Sequence, residues 1–124
     1  ASHSNARALC GHSRNLSDEQ AKAIADRGGV IGVTFVGPFL GEGRQSVQGV
    51  VDHIDHFAGV IGTDHIAIGS DFDGVSDSAL PEGLPDVSHM PRLIDELARR
   101  GYSDAAIQSI MGENLLCVVE GVIG

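Results

Sequence analysis

The chain has 124 residues, about the length of one domain, and its 42% hydrophobic and 20% charged residues are typical of a globular protein rather than a disordered one. Its net charge of -9 argues against nucleic acid as a partner, because phosphate binding depends on clustered positive charge. No apolar stretch has the ~18 residues of a membrane span, no signal peptide opens the chain, and two cysteines exclude a disulfide scaffold, so we expect a cytoplasmic protein.

The first predicted elements are a helix, a strand and a second helix. Ser17 and Gln20 form a capping-box pattern, which predicts a helix over 18–27 that ends at a glycine. The continuous apolar run over 30–36 is typical of a parallel strand that is buried on both faces, and the glycines and proline after it predict a loop. Apolar residues at helical spacing predict a second helix over 45–58.

The second half of the chain begins with a strand and ends with helices. Residues 65–70 are predicted to form a short strand, and the glycine- and proline-rich residues 72–87 a loop long enough to be functional. Ser88 and Ser103 are the predicted N-caps of a third and a fourth helix, and Asn114 that of a final helical turn. Strands that alternate with helices predict an α/β fold with a parallel sheet.

Two strands of this kind cannot form a stable sheet by themselves. Strands that are apolar on both faces need a neighbour on each side, and an open edge leaves backbone N–H and C=O groups unpaired. The chain opens on Ala1-Ser2-His3, which resembles the end of a strand. We therefore expect residues 1–124 to be part of a larger β/α protein, and we expect the 124-residue chain to associate with itself or with a partner.

Candidate functional residues lie where strands are predicted to end. Asp71 directly follows the second strand, and the chemistry of parallel α/β proteins gathers at the carboxyl ends of strands. Its carboxylate is a candidate for metal binding or proton transfer, although an Asx-turn explains Asp71 and Asp73 equally well. His3 is a candidate zinc ligand and Arg14 a candidate clamp for a carboxylate. A structural histidine and a surface arginine remain alternatives for these two.

An HxxH pair on the second predicted helix is a weaker metal candidate. His53 and His56 are expected on the solvent face, away from the apolar stripe of that helix. His65 is predicted to open the second strand, about 20 Å from Asp71 at the other end. It therefore belongs to the opposite end of the sheet, where residues serve stability.

Six segments, in order along essentially the whole chain, resemble the C-terminal part of the membrane (renal) dipeptidase family. They are SHSNARAL, HSRNLSDEQ, RGGVIGV, DHIDH, DHIAIGSDFDG and the closing RRGYS…I…GENLL. The resemblance implies a zinc-dependent dipeptidase of the amidohydrolase type, with a (β/α)₈ TIM barrel and two zinc ions at its C-terminal mouth. It also implies that residues 1–124 are the C-terminal segment of a single β/α-barrel domain.

The resemblance assigns roles to three residues. His3 matches a zinc ligand, Arg14 matches the arginine that grips the terminal carboxylate of the substrate, and Asp71 matches an acid/base group of the active site. A hydroxide shared by the two metals would attack the peptide carbonyl of a dipeptide. The family's other metal ligands come from its N-terminal half, so this chain supplies one of the ligands and is expected to be inactive alone.

Two alternatives to this function remain open. In the first, the chain is a non-catalytic half-barrel module that assembles with itself or a partner. In the second, it is part of a related amidohydrolase that acts on another amide. Arg14 favours a substrate with a free carboxylate, so a comparison of dipeptides with neutral amides distinguishes the last alternative.

Overall fold

The computed structural model of the chain describes residues 1, 4–35, 37–41, 46–70 and 89–123, which form two parallel strands with helices packed against them. In chain order the elements are α1 (Asp18–Asp26), β1 (Ile31–Thr34), α2 (Gly37–Leu40), α3 (Val47–Ile61), a 3₁₀ turn (Thr63–His65), β2 (Ile66–Ser70), α4 (Met90–Arg99), α5 (Asp104–Gln108), a π-helical turn (Ser109–Glu113) and α6 (Asn114–Ile123). None of the described helices is both long and apolar enough to cross a bilayer.

The strand β1 has a neighbour on each side. On one side it pairs in parallel with β2, with Ile31 opposite Ile66 and one register shift before the last pair. On the other side Ala1 and Ser4 bond to it, since Gly32 N–H donates to the Ala1 carbonyl at 2.7 Å and Ser4 N–H donates to the Gly32 carbonyl at 2.9 Å. The predicted parallel pairing of β1 with β2 is confirmed.

The hydrophobic core lies between the strands and the helices α3 and α4. Its largest fully buried side chains include Phe35, Phe57, Ile31, Ile54, Ile66, Leu93, Leu97 and Ile110. Burying a side chain of this size contributes ~1.5–3 kcal/mol, so these residues determine where the helices lie on the strands. The long helix α3 contacts α1, α4, β1 and the short helix α2, and it therefore links the core to the segment that follows β1.

Local signals at the helix ends are confirmed for α1 and α5. The capping box of α1 is closed in both directions, because Gln20 N–H donates to Ser17 Oγ at 3.2 Å and Ser17 N–H donates to Gln20 Oε1 at 2.9 Å. After α1 the chain turns at Gly28, whose φ of 75° favours glycine. Ala106 N–H donates to Ser103 Oγ at 3.1 Å, as predicted for the cap of α5.

Several local predictions are wrong. The glycine and proline after β1 form the short helix α2 rather than a loop, which the proline tolerates because it lies in the first turn. The N-cap of α4 is His89, not Ser88, which lies outside the described residues. Asn114 does not cap α6 but has helical backbone angles, and His65 lies in the 3₁₀ turn before β2. The predicted loop 72–87 also lies outside the described residues.

Candidate functional site

The carboxyl ends of β1 and β2 lie side by side, with Thr34 paired to Ser70. Asp71 follows Ser70 directly in the chain, but Asp71 lies outside the described residues. His3 also lies outside them, between Ala1 and Ser4. The roles of Asp71 and His3 therefore stay predictions, and Arg14 is the predicted site residue whose surroundings are described.

Arg14 projects from the loop 7–15, which we call the arginine loop. Its side chain is exposed, and its guanidinium carbon lies 5.5 Å from the centroid of the Phe39 ring. The ring of His12 packs against the same phenyl ring at 4.3 Å between centroids, and His12 Nδ1 accepts the backbone N–H of Arg14 at 3.1 Å. Because Phe39 lies in α2, directly after β1, the guanidinium lies beside the carboxyl end of β1. No acidic side chain among the described residues pairs with it.

Two buried asparagines join the arginine loop to the end of β1. The Asn5 amide makes two bonds with the backbone of Thr34, donating to its carbonyl at 3.0 Å and accepting its N–H at 3.0 Å. Asn15 Nδ2 donates to the carbonyls of Cys10 at 2.9 Å and Phe39 at 2.8 Å. The buried Asn15 Oδ1 has no hydrogen-bond partner within the described ranges. These amides provide hydrogen-bond partners for backbone groups at the end of β1, in α2 and in the arginine loop.

The base of the arginine loop is closed by its own backbone. Leu16 N–H donates to the Asn5 carbonyl at 2.8 Å, and Arg7 N–H donates to the Leu16 carbonyl at 2.8 Å. The Arg7 guanidinium also donates to the Asn15 carbonyl at 2.8 Å. The loop therefore begins and ends at one fixed point, so Arg14 is held on a short, closed segment.

The side chain of His53 is part of this network, and its predicted place on the solvent face of α3 is wrong. Only 1% of His53 is exposed. Its Nδ1 accepts the N–H of Ala6 at 3.0 Å, and its Nε2 donates to the carbonyl of Leu40 at 2.8 Å. Burial lowers the pKa of His53, against the smaller opposing effects of the Leu40 carbonyl and Asp52. The imidazole is therefore neutral at pH 7, with one nitrogen accepting and the other donating.

His56 does not share a ligand with His53. Its Nε2 lies 2.7 Å from Asp18 Oδ1 and joins α3 to α1, and the half-buried ring is again not fully on the solvent face. The aspartates interleaved with the histidines bind Arg100, whose Nη1 lies 2.7 Å from both Asp52 and Asp55. These carboxylates therefore hold Arg100 at the end of α4 against α3, and the two histidines do not share a partner.

The described residues alone do not form a metal site. No group of three or more His, Cys, Asp or Glu side chains within the described ranges could hold a metal ion. The predicted ligand His3 lies outside them, next to residues that bond to β1. A histidine side chain has the donor chemistry of a zinc ligand, and the role of His3 as one such ligand stays a prediction.

Sequence reasoning missed the residues that hold the arginine loop in place. Asn5 and Asn15 were passed over, since asparagines between predicted elements usually indicate turns. The apolar stripe of α3 predicts the solvent face for His53, which is wrong because such a stripe takes no account of a polar side chain with buried hydrogen-bond partners. One signal in the sequence does point to these residues: Asn5, Asn15 and His53 lie in segments that also contain candidate site residues.

The chain is similar to a known protein family and to known proteins. Residues 1–123 match the family model described as membrane dipeptidase (peptidase family M19). A protein of Klebsiella pneumoniae from the pqqA 5' region is 44% identical over 98% of this chain, and the dipeptidase verJ of Clonostachys rogersoniana is 40% identical over 98% of it. This chain spans 46% of the first protein and 31% of the second.

A solved structure has the same fold. It is a metallo peptidase from Rhodobacter sphaeroides, liganded with a phosphinate mimic of the dipeptide L-Ala-D-Ala. Its TM-score is 0.87 at 33% identity, and the match covers 95% of this chain and 34% of that one. The chain has parallel strands with outer helices, and it matches part of a TIM-barrel-like metallopeptidase. The predicted fold class is therefore confirmed.

Proposed function

The chain belongs to the membrane dipeptidase family (peptidase family M19), and we propose that it supplies part of the active site of a metal-dependent dipeptidase. The observation that carries this proposal is the exposed guanidinium of Arg14, held beside the carboxyl ends of the parallel strands. In β/α barrels, the residues that act on substrate come from this end. The proposal places the chain, residues 1–124, as the C-terminal segment of one β/α-barrel domain.

Arg14 binds the terminal carboxylate of the substrate in this proposal. A guanidinium offers parallel N–H donors that match the two oxygens of a carboxylate, whereas an ammonium group acts as a point charge. The ring of Phe39 supports the guanidinium from one side, and the exposed position leaves it accessible to substrate. A free carboxylate at a fixed distance from the peptide bond is what distinguishes a dipeptide from a longer peptide. Arg14 therefore selects substrates by length.

The metal chemistry would come from two zinc ions, to which this chain would contribute one ligand, His3. Zinc polarises a carbonyl and makes water a nucleophile at neutral pH. The other ligands belong to the remainder of the barrel, so the 124-residue chain alone is inactive. Support for a metal comes from the relatives, one of which is named a metallo peptidase.

Asp71 acts as the acid/base group in this proposal. When the C–N bond of a dipeptide breaks, the nitrogen of the leaving amine must gain a proton, and a carboxyl group can supply it. Asp71 directly follows Ser70, which pairs with Thr34 at the carboxyl end of β1. We therefore expect Asp71 to lie at the same end of the strands as Arg14.

Association with the remainder of the barrel is also proposed. Within the described residues β2 has one strand neighbour, and α6 exposes the apolar side chains of Leu115, Leu116 and Val119. An open strand edge and an exposed apolar face favour pairing. In size-exclusion chromatography with light-scattering detection, we expect the isolated 124-residue chain to elute as an oligomer. A stable monomer with a sharp melting transition would contradict this.

The test of the dipeptidase proposal uses the full-length protein that contains this chain. Its rate is measured on a panel of dipeptides and on the matching dipeptide amides, which lack the free carboxylate. We expect hydrolysis of the dipeptides, loss of activity with a chelator, and recovery with zinc. Equal rates on the amides would assign the protein to the alternative of a related amidohydrolase. No hydrolysis by zinc-loaded protein would favour the non-catalytic module.

A further inference from the structure

The imidazole of His53 joins two separate segments at the carboxyl end of β1. It reaches from the middle of α3 to accept the Ala6 N–H at 3.0 Å and to donate to the Leu40 carbonyl at 2.8 Å. Ala6 directly precedes the arginine loop, and Leu40 is the last residue of α2. This buried side chain therefore bridges the two segments directly, alongside the Asn15 amide that donates to the Phe39 carbonyl.

Both segments hold Arg14. Ala6 forms a parallel bridge with Leu16, which closes the base of the arginine loop. Leu40 follows Phe39, whose ring lies against the Arg14 guanidinium and whose carbonyl accepts the Asn15 amide. A shift of Ala6 relative to Leu40 would therefore move the base of the loop relative to the ring that supports its guanidinium.

Apart from the contacts of His12 and Arg14 with the Phe39 ring, apolar packing contributes little to holding the arginine loop. Most of its residues are exposed, including its large apolar side chain, Leu9, at 47%. The loop is held instead by directional hydrogen bonds from Asn5, Asn15 and His53. Hydrogen bonds depend steeply on distance and angle, so they define the position of a loop more sharply than non-directional apolar contacts do.

We propose that His53 is a positioning residue of the dipeptidase reaction, whose neutral imidazole bridges Ala6 and Leu40 and so holds Arg14 where it grips the substrate carboxylate. The bridge needs one accepting and one donating nitrogen on a rigid ring, which neutral histidine provides. This inference rests on the proposed function, but it concerns substrate binding rather than the metal.

The test replaces His53 in the full-length enzyme in two ways. His53→Gln keeps an amide near the position of Nε2, as a donor for Leu40, but removes the acceptor for Ala6. His53→Asn keeps an acceptor near the position of Nδ1 but removes the donor for Leu40. Because a displaced binding group weakens substrate contacts sharply, we expect KM for a dipeptide to rise about 10-fold or more in both variants, with kcat changed little.

The matched control is His56→Gln. His56 lies on the same helix and is half-buried against Asp18, but it does not contact the arginine loop. We expect this variant to lower the melting temperature with KM unchanged. The Kd of a phosphinate dipeptide mimic, measured by calorimetry, provides a readout besides turnover, and it should rise in the His53 variants and not in the control.

A double variant separates positioning from general stabilisation. If His53 acts through Arg14, then adding His53→Gln to Arg14→Lys raises KM less than the product of the two single effects. Independent, multiplied effects would overturn the proposal, and so would an unchanged KM and Kd in both His53 variants. If neither variant folds, His53 is purely structural and the proposal is also wrong. A wild-type enzyme that fails to hydrolyse dipeptides would instead contradict the proposed function.

Discussion

At both ends of the parallel strands, asparagine and histidine side chains bond to backbone groups. The two ends differ in what these side chains hold in place. At the amino end, the buried Asn114 amide donates to the carbonyls of Thr63 at 2.6 Å and Ile66 at 2.8 Å. There His65 Nδ1 also donates to the carbonyl of Gly29 at 2.9 Å. Thr63 and Gly29 belong to the turns that lead into β2 and β1, and Ile66 is the first residue of β2. The amide and the imidazole at this end therefore hold the entry of the chain into the strands.

At the carboxyl end, an amide and an imidazole again bond to the backbone, but they surround an exposed charge. Asn15 and His53 bond to residues of α2 and of the arginine loop, and Arg14 projects from that loop into solvent. The comparison shows that a buried asparagine or histidine does not by itself indicate function. What differs is the presence of an exposed, chemically useful group next to the network, at the end of the strands where β/α proteins bind substrate.

The largest effect that tests this comparison is expected at Asp71. In the full-length enzyme, Asp71→Asn keeps the shape of the side chain but cannot transfer a proton, so kcat should fall by about 10²–10⁴-fold. Metal content and the melting temperature should change little. Asp64→Asn, at the amino end, is the matched control and should keep normal turnover. Near-normal kcat in Asp71→Asn would favour the Asx-turn, which asparagine also fits.

The next effect concerns the charge at the carboxyl end. Arg14→Lys keeps a positive charge but loses the two parallel donors, so KM for dipeptides should rise about 10-fold or more, with the metal content intact. The control is Arg27→Lys at the end of α1, near the amino end of β1. Steady-state kinetics of the two variants decide the matter. Equal KM values would remove Arg14 as the carboxylate clamp.

The amino end should respond in stability rather than in activity. Asn114→Ala leaves two backbone carbonyls without their side-chain donor, which should lower the free energy of unfolding by about 1–3 kcal/mol. Glu113→Ala, at the exposed neighbouring residue, should change it little. Both are measured by urea unfolding of the full-length enzyme, together with KM. A raised KM in Asn114→Ala would show that the two ends are not functionally separate.

The smallest effect is a pH dependence of stability that arises at the carboxyl end. The pKa of His53 is lowered in the folded protein from its ordinary value of 6.5, chiefly by burial. The unfolded chain therefore binds a proton first as the pH falls below about 6.5, so the free energy of unfolding decreases between that pH and the lowered pKa. Unfolding measured across this range should show a weaker pH dependence in His53→Gln. An unchanged dependence would mean that His53 does not contribute to it.

Local signals in the sequence were sufficient for the main strands and helices, although they missed the short helix α2. The helix predicted over 18–27 is α1, and its capping box depends on Ser17 and Gln20, which lie three residues apart. The apolar run over 30–36 contains β1, although the strand is shorter than the run because pairing extends only over Ile31–Thr34. Such signals are reliable because the interacting groups are neighbours in the chain.

The candidate functional site shows which features local sequence signals do not predict. The sequence by itself determined the α/β order, the parallel strands and the placement of Arg14 near a strand end, because periodicity, caps and motifs are local properties. Only the tertiary structure decided that His53 faces inward and that Asn5 bonds to Thr34, 29 residues away. Such pairings depend on which distant backbone groups remain unsatisfied after the core has packed, and no local pattern contains that information.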